Sequence, residues 1–138
     1  MNWLKAQPEV DASRIVVSGC SFGGIQTLLT AEKGLGARAF IAFAPAAQSW
    51  GNGALDQRLE NAVRDAKAPV FILQAKNDYS LQPAEVLGKI AKARGGQAII
   101  YPAFGNGPQE GHWAFATTDA GIAVWGKDVL HFIEAALH

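Results

Sequence analysis

The sequence contains a single cysteine, Cys20, so no internal disulfide and no cysteine cage for a metal can form. Neither sign of charge is in excess: 12 lysines and arginines stand against 12 aspartates and glutamates, and neither gathers into a long run. That leaves no electrostatic footprint for nucleic acid or for an anionic membrane. Long hydrophobic runs are missing too. Stretches such as Ala39 to Ala47 are far shorter than the ~20 apolar residues that a membrane-spanning helix needs. The opening residues Met1-Asn2-Trp3-Leu4-Lys5 lack the apolar segment of a secretory signal, which makes a cytoplasmic location the default expectation. There is no internal repeat, low-complexity stretch or linker. Histidine is scarce as well, with three in the chain.

What is present suits one domain over residues 1–138: 49% of the residues are apolar and 17% charged, a balance for a buried core rather than disorder. Four short apolar runs read as buried strands: Arg14 to Ser18, Ala39 to Phe43, Pro69 to Ala75 and Gln97 to Pro102. Helix-period segments separate them, carried by Phe22, Ile25, Leu28 and Leu29, then Leu55, Leu59, Ala62 and Val63, then Val86, Leu87, Ile90 and Ala91. A closing amphipathic helix over Thr118 to Leu137 has Thr117 or Thr118 as its N-cap. Pro83 falls in a helix first turn, and Gly34 and Gly95 fall at helix C-termini. This alternation predicts an α/β fold: a three-layer sandwich with a parallel sheet of about four strands and helices on both faces. Ligands then bind beyond the carboxyl ends of the strands. Ala44 to Gly53 is the longest irregular loop, on that same edge.

Directly after the first strand comes Gly19-Cys20-Ser21-Phe22-Gly23-Gly24 and then a helix pattern, the setting of a nucleophile elbow. The flanking glycines admit a strained turn and a close passage of strand and helix. Ser21 at a helix N-terminus also sits beside backbone N–H groups able to stabilise an oxyanion. A hydroxyl needs a base, and an acid to orient that base. His131 falls inside the closing helix and His138 is the last residue, whereas His112 follows the fourth strand on the sheet's carboxyl edge. Asp78 follows the third strand by three residues on the same edge. The order Ser21, Asp78, His112 is the one found in α/β-hydrolases.

Other readings stand beside these. The lesser alternatives are that Asp78 merely turns the chain after a strand and that His112 decorates a surface loop. Cys20 precedes the apex and reads as a small buried hydrophobe, and Glu110 as a solvated loop carboxylate. Trp50 and Trp113 lie in carboxyl-edge loops, where they either wall a substrate pocket or simply pack; Trp3 and Trp125 read as core.

The run Val10-Asp11-Ala12-Ser13-Arg14-Ile15-Val16-Val17-Ser18-Gly19-Cys20-Ser21-Phe22-Gly23-Gly24, with Trp3-Leu4-Lys5 before it and Glu110-Gly111-His112 after it, resembles the dienelactone hydrolase and prolyl oligopeptidase branches of the α/β-hydrolase superfamily. Phe71 to Pro83 is similar to the region that carries the acid in those families. The resemblance implies Ser21 as nucleophile, Asp78 as acid, His112 as base and the Phe22 backbone N–H as one oxyanion donor. Dienelactone hydrolases themselves use cysteine where Ser21 stands, which favours ordinary ester hydrolysis. The peptidases bring extra domains, which makes peptide cleavage the weaker implication.

Members of these families also place several strands before the nucleophile strand, including the loop that gives the second oxyanion donor. Only about a dozen residues precede Arg14, so a truncated, carboxyl-terminal half of the fold is expected. Its first strand is then a sheet edge, and Ile15, Val16 and Val17 make that edge adhesive, so a homodimer or higher homo-oligomer is expected. The candidates for a replacement donor are a group from a partner chain or the local amides Gln48, Asn52 and Gln74. The resulting expectation is a serine esterase acting on short-chain carboxylic esters, with no metal and no organic cofactor. The alternative is a weak or inactive half-hydrolase serving as an interaction module or as a fragment of a larger hydrolase.

Overall fold

A computed structural model describes residues 1–138. After a single helical turn, α1 (Asn2–Lys5), strands and helices alternate: β1 (Val16–Cys20), α2 (Phe22–Lys33), β2 (Ala39–Phe43), α3 (Gly53–Arg64), β3 (Val70–Ala75), α4 (Gln82–Ala93) and β4 (Gln97–Tyr101). A π-helical turn, Glu110–Ala114, leads through the short α5 (Phe115–Thr117) into the long α6 (Asp119–Leu137). The four strands are parallel and lie in sequence order, β1-β2-β3-β4. This is the expected α/β architecture, with β1 at one edge.

The two faces of the sheet are covered unequally, and the strand order explains why. Right-handed crossovers between strands laid down in one direction put every connecting helix on the same face. Fully buried Leu28 of α2, Leu59 and Val63 of α3 and Leu87 of α4 therefore share one core with Phe40, Val70 and Ile72. The alternate residues of the same strands, Ile41, Phe43, Phe71 and Leu73, face the other way. There Val129 and Phe132 of α6 and Phe115 of α5 cover them, with Phe71 and Phe132 ring centroids 5.1 Å apart. Burying one such side chain contributes about 1.5–3 kcal/mol. Tyr101 ties β4 to α6 by donating a 2.6 Å hydrogen bond to Asp128. Burial, and then that bond, hold its phenol well above the ordinary value.

The punctuation of the sequence is obeyed closely. Thr118 caps α6 by accepting from the Gly121 N–H, and Pro83 sits in the first turn of α4. Gly34 closes α2 at φ 70°, a left-handed value that a side chain resists.

Three expectations need correction. The first strand runs two residues later than its apolar pattern, because Gly19 and Cys20 pair in register with Ala42 and Phe43. Trp3 is not core: it is 75% exposed on the α1 turn, which buries nothing. Finally, His112 lies within the π-helical turn rather than a loop. A segment opening on Pro108 and interrupted by Gly111 carries too few apolar positions to show a helical period.

Candidate active site

β1 delivers the chain to Ser21 at the carboxyl edge, and α2 begins on the next residue. Ser21 has φ 57° and ψ −116°, a conformation that costs a non-glycine residue on the order of 1–3 kcal/mol. The surroundings fix it there: the Ser21 N–H donates to the Phe43 carbonyl at the end of β2, at 2.9 Å. The glycines divide the steric work. A Cβ on Gly19 would collide with the Gly23 carbonyl, and one on Gly24 would come within 3.0 Å of the Phe43 oxygen. A Cβ on Gly23 would meet nothing, so the second glycine of the motif is not required by close packing.

The tight passage turns the Ser21 hydroxyl toward the histidine. Ser21 Oγ lies 2.8 Å from His112 Nε2, and His112 Nδ1 lies 2.9 Å from Asp78 Oδ1. The Asp78 side chain is sealed from solvent and that of His112 nearly so. Asp78 is held at both oxygens: the Tyr79 N–H donates to Oδ1 at 2.6 Å, and Gln74 Nε2 donates to Oδ2 at 2.9 Å. A carboxylate only accepts, so Nδ1 carries the ring proton, Nε2 is the free acceptor, and the Ser21 hydroxyl donates to it. The arrangement can take a proton from Ser21 and stabilise the imidazolium that results.

The histidine turn is anchored by Asn77. Its Nδ2 donates to the Phe104 and Gly107 carbonyls, and its Oδ1 accepts from the Phe104 N–H, at 2.8–2.9 Å. Gly111 lies so near that a Cβ there would fall 2.7 Å from Asn77 Cγ. The Tyr79 ring meets the His112 ring edge-on at 5.5 Å, and the Trp113 ring stacks with it at 6.3 Å.

Of the two tryptophans considered for the pocket, Trp113 lines the cavity at Ser21 and His112. Trp50 does not line it; it packs, half-buried, against the core under α2, α3 and α4. The three candidate amides separate as cleanly. Asn52 caps α3, Gln74 is committed to Asp78 and the Ser80 carbonyl, and exposed Gln48 lines the space beside Ser21. Cys20 faces away from that space, its Sγ 4.0 Å from the His112 carbonyl, and burial, then Asp78, push its thiol up to about 11. Glu110 is exposed and accepts from the Asn106 N–H rather than from His112. Sequence reasoning did not single out Tyr79 or Gln109, which also line the cavity; both directly adjoin residues it did mark, Asp78 and Glu110. No cluster of three His, Cys, Asp or Glu side chains is placed to hold a metal ion, and no helix is long and apolar enough to cross a membrane.

A four-stranded parallel sheet with a strained serine at the turn from β1 into α2 defines an α/β-hydrolase fold. Within that fold the chain belongs to the dienelactone hydrolase family, whose profile matches residues 1–106. The match takes in Ser21 and Asp78 and stops short of His112. Among solved structures the chain is similar to esterase B from Lactobacillus rhamnosis, at TM-score 0.65 and 16% identity, over 93% of this chain and 54% of that one. It is also similar to the acylaminoacyl peptidase of Pyrococcus horikoshii, at TM-score 0.60 and 17% identity, over 79% of this chain and 22% of that one. The chain thus spans about half the length of the esterase and about a fifth of the peptidase. No curated protein sequence matches it.

Proposed function

We propose that the chain is a serine hydrolase of small carboxylic esters, with Ser21 as nucleophile, His112 as general base and acid, and Asp78 as the group that orients it. The observation that carries this reading is the buried hydrogen-bonded line from Ser21 Oγ through His112 to Asp78. His112 takes the Ser21 proton as Oγ attacks the ester carbonyl, then gives it to the leaving alcohol. Water activated by the same histidine releases the acid from Ser21. The Phe22 N–H, first in α2 and without a carbonyl four residues back inside the helix, is the donor available to the oxyanion. We assign the second to Gln48, which lines the space beside Ser21. Each such donor contributes on the order of 2.7–4 kcal/mol of transition-state stabilisation. Membership of the dienelactone hydrolase family and the fold shared with an esterase support the assignment.

A second reading is favoured by the chain's span of 54% of esterase B: a piece of a larger hydrolase that does not turn over alone. Assay of 4-nitrophenyl butyrate with the wild type, Ser21→Ala and His112→Ala separates the two. The proposal expects Ser21→Ala to fall to background and His112→Ala to lose roughly 100- to 10,000-fold. Equal rates in all three proteins, with no labelling of Ser21 by a fluorophosphonate, would leave the second reading standing.

A further inference from the structure

Two cavities meet at Ser21. The larger, about 300 Å³, is lined by Ser21, Gln48, Tyr79, Gln109, His112 and Trp113. The smaller, about 150 Å³, shares Ser21 and Gln48, and its other walls are Phe22, Ile25, Ala46, Ala47 and Ser49. His112 belongs only to the larger cavity and Phe22 only to the smaller.

This division has a chemical direction, which rests on the ester-hydrolase reading. The proton that His112 accepts from Ser21 must return to the leaving alcohol oxygen, so that oxygen departs on the His112 side. The acyl substituent stays behind on the far side of Ser21. We propose that the smaller cavity is the acyl-chain site and the larger one the alcohol site, and that Ile25 sets how long an acyl chain is accepted.

Size and lining define the acyl group. An enclosed apolar cavity of about 150 Å³ holds a benzene molecule, so a half-open one of that size accommodates about six carbons along its apolar walls. Its inner walls are apolar and buried: Ile25 is 9% exposed, Ala46 2% and Ala47 4%. No charged side chain lines it, while the polar Gln48 and Ser49 are exposed. The class is therefore an uncharged aliphatic acyl group of about two to six carbons. Ile25 lies one helical turn beyond the nucleophile, where its N–H donates to the Ser21 carbonyl at 3.1 Å, and among the buried walls it carries the one side chain larger than a methyl group.

Alkylphosphonofluoridates test this without relying on turnover. As the bond from Ser21 Oγ to phosphorus forms, the phosphorus–fluorine bond breaks, fluoride leaves and the serine proton passes to His112; the alkyl group on phosphorus occupies the acyl position. Second-order labelling rates are measured from methyl to decyl for the wild type, Ile25→Ala, the gentler Ile25→Val and Ser49→Phe, each checked for folding by circular dichroism. The wild type should peak near butyl and fall about tenfold or more once the chain outgrows the cavity. Ile25→Ala should raise the octyl-to-butyl ratio about tenfold, and Ile25→Val should shift it in the same direction by less. Ser49→Phe, at an exposed position, should lower the butyl-to-methyl ratio about tenfold. A flat profile in the wild type, or a profile that neither Ile25 variant moves, overturns the acyl site while leaving the serine-hydrolase reading intact. Absence of labelling at every chain length overturns both.

Discussion

Ser21 and His112 stand 2.8 Å apart, yet opposite kinds of force hold them. Ser21 is placed by backbone: a left-handed turn, one hydrogen bond to the end of β2, and a passage of strand past helix so close that Gly19 has no room for a methyl group. His112 is placed by side chains drawn from elsewhere in the chain, with Asp78 fixed by Gln74 and the Tyr79 N–H, and the turn itself fixed by Asn77. Apart from the Phe43 carbonyl, the first arrangement lies within the six consecutive residues Gly19 to Gly24. The second spans 39 positions, from Gln74 to His112, and exists only when β3, the loop after β4 and the histidine turn have come together. A strained backbone holds one atom rigidly at little cost in sequence, whereas a network of side chains shares its precision among many residues.

The sharpest way to break this contrast is at the glycines. Gly19→Ala drives a Cβ into backbone that cannot rotate aside, with Thr27 Oγ1 also 2.9 Å away, and should cost about 3 kcal/mol of stability. Gly23→Ala meets open space in a helix and should be neutral or gain up to ~1 kcal/mol. Urea denaturation measures both. Similar losses in the two variants would mean that the elbow is not set by the approach of β1 to α2.

On the histidine side the corresponding test is Gln74→Met, which keeps the buried volume and removes the donor to Asp78 Oδ2. A hydrogen bond to a charged group contributes about 1.5–3 kcal/mol, so esterase activity should fall roughly 10- to 100-fold. Stability should fall by about 1–3 kcal/mol, because Asp78 Oδ2 and the Ser80 carbonyl lose their donor, a loss that removal of the buried, unpartnered Gln74 Oε1 offsets in part. A variant that loses stability but retains full activity would make Gln74 a packing residue and Asp78 self-sufficient.

The same contrast explains how much of the molecule could be read in advance. The elbow was legible because its cause is local, and the strand order because four apolar runs alternate with helical periods. His112 was reachable by elimination among three histidines, but its π-helical turn was not, since its geometry comes from Asn77 and Gly111 packing together across 34 residues. Gln74 was visible as a lone amide in the apolar run Val70 to Ala75. Its role was not, because a strand pattern gives the face a residue occupies and not the carboxylate waiting on it. The first strand began late for a related reason: Gly19 reads as a turn residue, yet the pairing with Ala42 keeps it in the sheet.

Adjacent residues carry the contrast down to its smallest scale. Cys20 has the more reactive atom, but the strand points it into the protein, where burial, then the Asp78 charge, push its thiol from an ordinary value near 9.0 up to about 11. Thiolate is the species that alkylates. The iodoacetamide reaction of the folded protein should therefore keep accelerating up to about pH 11, while the urea-unfolded chain levels off near pH 9. The folded thiol keeps its proton to higher pH than the unfolded one, so the unfolded state binds fewer protons in that window. Its contribution to stability is full below about pH 9 and is lost as pH rises through about 11. Rapid alkylation of the folded protein at pH 7 that abolishes an esterase activity retained by Ser21→Ala would reverse the order of the two nucleophiles.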